Sequence, residues 1–165
     1  MKTVVRTILP VLLLLCSAAA TAQTDQDEIN RQVWYPFMKA YEKLDASMFM
    51  SLHSRELMRV ELDMRKTMHY DAYAAYYQDF FNRFRKSGEK IRIRFSFTHR
   101  VSDGSRAFEK GYYEFTLHTA KGEARAYGSF TVMLKKEQDR WKIILDADTN
   151  KDMSEAVFLS GKILQ

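Results

Sequence analysis

The side chains able to do chemistry are few and scattered. The four histidines, His53, His69, His99 and His118, include no pair at metal-ligand spacing, and the single cysteine, Cys16, sits in an apolar N-terminal run. No glycine-rich phosphate loop is present. Ser129 faces outward in the strand register set out below and has no histidine near it, so no Ser–His–acid nucleophile forms. Asp146 and Asp148 share one strand face. Two carboxylates fall far short of the shell of about six oxygens that a hard cation takes, so they read as a solvated or dimer-facing pair. His99 and Glu109 hold more promise. Alternation puts both on the apolar face of neighbouring strands, diagonal across Phe97 and Ala107, where a histidine beside a carboxylate at the mouth of an apolar cone can act as general base. The plainer role for the same positions is a wet rim at the end of a hairpin.

The run Arg83 to Arg100 contains seven Lys or Arg and one acid, Glu89. Phe95 and Phe97 interleave it in the manner of a nucleic-acid-binding stripe. Alternation, however, sends those aromatics inward and leaves Arg92 and Arg94 on a polar sheet face, so no nucleic acid partner is expected.

Lys2 and Arg6, the apolar stretch from Ile8, and the small residues of Ala20-Thr21-Ala22 before Gln23 form the pattern of a secretory signal peptide over residues 1–22. The apolar stretch is short of the ~18–20 residues that span a bilayer, so no membrane span remains after cleavage. Leu15 before Cys16 is too bulky for a lipoprotein signal. Cleavage removes Cys16, and with it any disulfide, thiol nucleophile or thiolate ligand. The expected protein is exported, periplasmic or secreted, without metal or cofactor. Residues 23–28 are expected to be a flexible N-terminus, and 29–165 one domain. The chain is 46% hydrophobic with six Gly and two Pro, which excludes a disordered chain and leaves little room for long loops.

These side chains are positioned first by helices, then by a sheet. Ile29, Val33, Phe37, Tyr41 and Leu44 recur at helical spacing, widened by Trp34 and Met38. Pro36 falls inside this stripe, so the helix is kinked there or begins near Tyr35. Asp45 is a good N-cap for a second helix, Ala46 to Leu52. Met58, Val60 and Leu62 alternate with Arg59, Glu61 and Asp63 as a short strand whose charged face turns away from the core. Asp71 to Lys86 is a third helix with Tyr73, Tyr77, Phe80, Phe81 and Phe84 on its buried side and Gly88 beyond its end. From Ile91 the period becomes two. Ile91, Ile93, Phe95 and Phe97 share a face, and turns at Ser102-Asp103-Gly104, Lys121-Gly122 and Lys136 to Asp139 define a four-stranded meander. The expected register sets Ile93 beside Tyr113, Tyr113 beside Phe130, and Phe130 beside Leu145, one apolar face through three turns. Gly111 and Gly128 lie on that face, where they permit strong bending. Asp152 and Glu155 make a capping box for a short final helix.

Helices followed by a curved antiparallel meander are an α+β roll, a cone with N-terminal helices packed in the sheet. The helix ending Tyr41-Glu42-Lys43-Leu44-Asp45, then Tyr73-Ala74-Ala75-Tyr76-Tyr77, Gly111-Tyr112-Tyr113, Gly128-Ser129-Phe130-Thr131-Val132 and Asp139-Arg140-Trp141-Lys142-Ile143 carry a resemblance. From about Ile29 to Phe158 the chain resembles the nuclear transport factor 2-like superfamily, in particular its SnoaL-like branch. The resemblance implies the cone fold but no single activity, because these folds host isomerases, cyclases, dehydratases and binders. An isomerase site like that of ketosteroid isomerases would need a tyrosine where this chain has Phe37 and an acid near Phe130 or Thr131. Its base position falls at Glu61, which alternation turns outward.

The favoured function is therefore a non-enzymatic binder of a small apolar or amphipathic molecule, with Phe37, Tyr41, Tyr73, Tyr77, Phe95, Phe97, Tyr113 and Trp141 lining the cone. One alternative is a small lyase, isomerase or cyclase using His99 and Glu109. Another is an interaction module working through the outer sheet face. That face is expected to carry Phe108, Tyr112, Tyr127, Met133 and Ile144 with charges of both signs, which suits a homodimer about a two-fold axis.

Overall fold

The computed structural model describes residues 24–165; the leader assigned to residues 1–22 lies outside the described residues. Residues 24–29 are helical, so the polar start of the chain joins the first helix instead of fraying. A π-helical turn, Asn30–Trp34, leads directly into helix α1, Tyr35–Lys43. The π turn accounts for Pro36. Tyr35 N–H reaches back to Asn30 O, and this wider turn absorbs a residue that has no N–H and crowds the carbonyl four places back. Pro36 then occupies the first turn of α1, where its fixed φ is favourable. Ile29, Val33, Phe37 and Tyr41 are buried along one stripe, as their spacing demands.

Leu44 ends α1 in the left-handed conformation (φ 55°), and Asp45 caps α2, Ala46–Ser51, accepting from Met48 N at 2.8 Å. Strands β1, His53–Glu61, and β2, Lys66–His69, precede helix α3, Tyr70–Ser87. The meander is β3, Lys90–Ser102; β4, Arg106–Thr119; β5, Gly122–Glu137; and β6, Arg140–Thr149. Helix α4, Glu155–Leu159, and the short β7, Lys162–Ile163, complete the chain. Ser154, in extended backbone, caps α4, its hydroxyl accepting from Val157 N. Asp152 does not, because its left-handed backbone (φ 59°) is incompatible with the extended N-cap geometry.

The expected α+β roll is the observed fold. The sheet runs β2-β1-β6-β5-β4-β3-β7, antiparallel except for the parallel pair β1 and β6. α1, α2 and α3 pack in its concave side through Trp34, Phe37, Tyr41, Phe49, Tyr77 and Phe81, against Ile93, Phe95, Phe130 and Val132. Through the middle of the meander the register is displaced by two residues from that expected: Ile93 meets Phe115, Phe95 meets Tyr113, and Tyr113 meets Gly128. An even displacement keeps side chains on their faces, so the apolar face survives between the bulges.

Two single-residue bulges do change faces. Phe97 pairs with Gly111 and His99 with Lys110, leaving Thr98 extra in β3. Leu134 pairs with Ile143 and Met133 with Leu145, leaving Ile144 extra in β6. Beyond each bulge the alternation is inverted. Arg100 turns inward in place of His99, and Asp146 and Asp148 turn inward opposite Val132 and Phe130 in place of Leu145 and Ala147.

On the convex side the fully buried Phe158 of α4 sits with Arg94 over its ring at 5.3 Å and Tyr127 at 6.1 Å, and its carbonyl accepts from Ser96 Oγ at 2.6 Å. Tyr127 is thus packed by the chain's own C-terminal helix. Phe108 and Met133, register partners, remain 39% and 38% exposed on this face.

Candidate functional site

The concave side encloses a cavity of about 620 Å³ between the helices and the inner faces of β1 and β3 to β6. Trp34, Phe37, Phe95 and Phe130 form one wall in tilted and edge-to-face contacts, with centroids 4.7–6.0 Å apart. Of the residues expected to line the cone, Phe37, Tyr41, Tyr73, Tyr77, Phe95 and Tyr113 do so. Phe97 and Trp141 do not. Phe97 borders a separate depression beside Arg100, and Trp141 is buried, its indole donating to Glu28 at 3.1 Å.

The polar side of the cavity is built by the β6 bulge and the parallel β1–β6 pair. In that register Arg59 stands beside Asp146, and Glu61 beside Asp148. Arg59 is buried, with Nη1 3.4 Å from Asp146 Oδ1 and Nη2 2.5 Å from Asp148 Oδ1. Nη1 also donates to the carbonyls of Val60 and Asp146, each at 3.2 Å. Tyr73 donates to Asp146 Oδ2 at 2.9 Å, and Tyr113 to Asp148 Oδ2 at 3.1 Å, with Asn150 also against the Tyr113 hydroxyl. The two carboxylates thus share one guanidinium and have one phenol each, and all five side chains line the cavity. Burial, aided by Asp146, holds the Asp148 carboxyl above the usual carboxylate range despite Arg59.

Tyr41 and Tyr77 join their hydroxyls at 2.6 Å on the opposite wall, and Phe49 stacks on Tyr77 at 3.8 Å. Burial pushes the phenols of Tyr41, Tyr73 and Tyr77 well above their ordinary value, so they stay protonated and serve as hydrogen-bonding groups. Tyr113 lies over Gly128, where a Cβ would come 2.2 Å from its ring. Glycine is therefore the residue that lets Tyr113 reach Asp148. At the rear, His53 is buried, its Nδ1 3.0 Å from Phe49 O, and burial lowers its pKa to about 4. It stays neutral at physiological pH.

The expected acid–base pair does not form. The Thr98 bulge turns His99 to solvent, where its Nδ1 lies 3.1 Å from Thr98 Oγ1. Glu109 is 1% exposed, accepts from the Trp34 indole at 2.6 Å and is clamped by Arg100 at 2.7 Å. It ties the first helix to the sheet and lies outside the cavity lining.

β1 is also turned relative to expectation. Leu57 and Arg59 are buried while Met58 and Leu62 are 42% and 53% exposed, so Glu61 faces the cavity. The β1–β6 pairing is itself irregular between His53 and Met58, and beyond that irregularity Glu61 stands beside the inward-facing Asp148. The isomerase-type arrangement still lacks its proton donors, since Phe37 and Phe130 occupy the expected positions. Among the described residues no group of three or more His, Cys, Asp or Glu is placed to hold a metal, and no helix is long and apolar enough to cross a membrane.

The alternation rule hid Arg59, Glu61, Asp146 and Asp148. One signal was available in β6: Ile143-Ile144-Leu145, three successive apolar residues, breaks strict alternation where the bulge occurs.

No protein-family model matches the sequence, and no curated protein does. Solved structures do match. An NTF-2-like protein of unknown function from Shewanella oneidensis is 20% identical, with 75% of this chain and 98% of that one covered and a TM-score of 0.59. An NTF2-like protein with a cystatin-like fold from Novosphingobium aromaticivorans is 12% identical over 86% of this chain and 92% of that one, TM-score 0.65. Aln2 from a Streptomyces species is 16% identical over 77% of this chain and 91% of that one, TM-score 0.66. None of these matches points to the SnoaL-like branch. The cone, its curved sheet and these matches together identify the fold of this chain as nuclear transport factor 2-like.

Proposed function

We propose that this protein is an exported domain that binds a small apolar or amphipathic molecule inside the cone. The observation carrying the reading is the cavity of about 620 Å³, walled by aromatic rings on one side and by a few convergent polar groups on the other. Its volume lies within the roughly 300–1,000 Å³ of ligand pockets. Export rests on the leader pattern of Lys2, Arg6 and Ala20-Thr21-Ala22. N-terminal sequencing of the mature protein checks it, with Gln23 expected first.

Thermal unfolding with a panel of small aromatic alcohols, amines and acids tests the binding. A ligand at 100 times its Kd adds about 2.7 kcal/mol, a shift of several degrees for a domain of this size. Ala126→Trp, at the exposed rim of the cavity, should fill the mouth and abolish the shift without lowering the unliganded Tm. A panel that stabilises the original and the filled variant equally would refute the reading.

A small lyase, isomerase or cyclase is the second reading, and Asp148 favours it. This carboxyl lines the cavity beside the Tyr113 hydroxyl, and its raised pKa suits proton transfer better than an ordinary aspartate. Its test is a rate that disappears in Asp148→Asn and survives in His99→Ala. Pairing of two copies through the convex face would use Phe108 and Met133, since Phe158 covers Tyr127. Sedimentation at micromolar concentration decides between one copy and two.

A further inference from the structure

The cavity's polar side has more negative charge than its cations neutralise. Arg59 is the one buried cation there, and it is divided between Asp146 and Asp148. Glu61 projects from the neighbouring strand directly beside Asp148, and both line the cavity. Like charges directly opposite one another in a sheet are destabilising. Beyond its place in the β-ladder, the Glu61 side chain has no hydrogen-bond or ion-pair partner among the described residues. Lys66 faces Glu61 across the β1–β2 hairpin and lines the same opening, but forms no ion pair with it. Asp63 at this opening accepts from Thr149 and from Asn150 N and is thereby occupied. Counting Arg59 and Lys66 against Glu61, Asp63, Asp146 and Asp148, the cavity carries a formal −2 in a chain whose total is +5. The excess therefore belongs to this site and not to the surface at large.

Aromatic faces flank the same place. Tyr113 reaches Asp148 with its hydroxyl, and the half-exposed Tyr76, close enough to Glu61 to feel its charge, stacks alongside Tyr73. Carboxylates beside tyrosine faces form an environment for an organic cation: the carboxylates supply the counter-charge, and the rings attract the cation through their quadrupoles. The apolar body of such a ligand would extend toward Phe37, Phe95 and Phe130.

We propose that the cone selects ligands that join an apolar or aromatic body to a positively charged amine, with the ammonium seated on Glu61, beside the Asp148 carboxylate that Arg59 and Tyr113 already hold. The inference rests on the cavity being a ligand site. It adds the charge of the ligand, and explains why the fold keeps two like charges in register.

Three probes of nearly equal shape separate the possibilities: 3-phenylpropylamine, 3-phenyl-1-propanol and 3-phenylpropionate, titrated calorimetrically into the full protein at pH 7 and low salt. The amine should bind about tenfold tighter than the alcohol, given a cation–π contact and one partly buried carboxylate, and the acid weakest. Glu61→Gln should reduce the amine-to-alcohol ratio severalfold, and because it removes a repulsion it should fold at least as well as the original. Alcohol or acid binding as tightly as the amine overturns the inference and leaves the ligand site standing. A ratio unmoved by Glu61→Gln overturns the assignment of the ammonium to Glu61. No binding by any of the three up to millimolar concentration overturns the ligand-site reading, and this inference with it.

Discussion

Replacing Arg59 by methionine tests the organisation of the cavity most directly. Methionine roughly matches the aliphatic stem in volume but removes the charge, leaving Asp146 with Tyr73 and Asp148 with Tyr113 as their remaining donors. Arg59 is 9% exposed in its side chain, Asp146 11% and Asp148 24%, so little solvent replaces the lost partner. Breaking a buried pair by removing one member costs about 3–5 kcal/mol, chiefly the penalty of an unpaired buried charge. The loss should shrink on acidification. Asp148 already has a folded-state pKa above its unfolded value, and removal of Arg59 raises it further. A carboxyl whose folded pKa is raised binds more protons folded than unfolded, so its effect on stability becomes less favourable as pH rises through that window and more favourable as pH falls. Urea unfolding followed by the fluorescence of the buried Trp34 and Trp141, at pH 7 and pH 5, gives the difference between variant and original directly. A difference below about 1 kcal/mol at pH 7, or one that grows at pH 5, would refute the claim that these carboxylates depend on Arg59.

Glu109→Ala should cost about 3 kcal/mol, because it leaves the Arg100 guanidinium with Asn30 alone and takes the acceptor from the Trp34 indole, whereas His99→Ala, at an exposed position, should stay within about 0.5 kcal/mol. Equal effects in chemical denaturation would remove the anchoring role given to Glu109. Gly128→Ala should displace Tyr113 from Asp148 and reduce ligand-induced stabilisation, with a crystal structure of the variant locating the ring. His53, with a folded pKa of about 4 against 6.5 unfolded, should contribute stability that is present above pH 6.5 and is lost as the pH falls toward 4. Its imidazole proton resonances should show no titration above about pH 5; a midpoint near 6.5 would place the ring in contact with water.

Much of this architecture was legible in the chain itself. The stripe of Ile29, Val33, Phe37 and Tyr41, the cap at Asp45 and the stop at Gly88 are local matters, decided within a few residues by helical spacing and capping chemistry. The apolar face of the meander was legible too, since an error of two residues between the bulges leaves sidedness unchanged. Pro36 marked a break, but its resolution by a π turn required the helix to stay packed on both sides of it.

The tertiary structure alone decided which polar side chains meet inside the cone. One extra residue at Thr98 exchanged His99 for Arg100, and one at Ile144 carried Asp146 and Asp148 from the outer face to the inner. Arg59 and Glu61 turn inward beyond the irregularity between His53 and Met58, where β1 pairs in parallel with β6, a partnership that joins Arg59 to Asp146 across 87 positions of the chain. A strand's side-chain period is two, so a single-residue bulge inverts everything beyond it. Ile143-Ile144-Leu145 breaks the alternation locally, but nothing comparable marks Thr98, and which residue is left over is set by how the sheet bends around the helices.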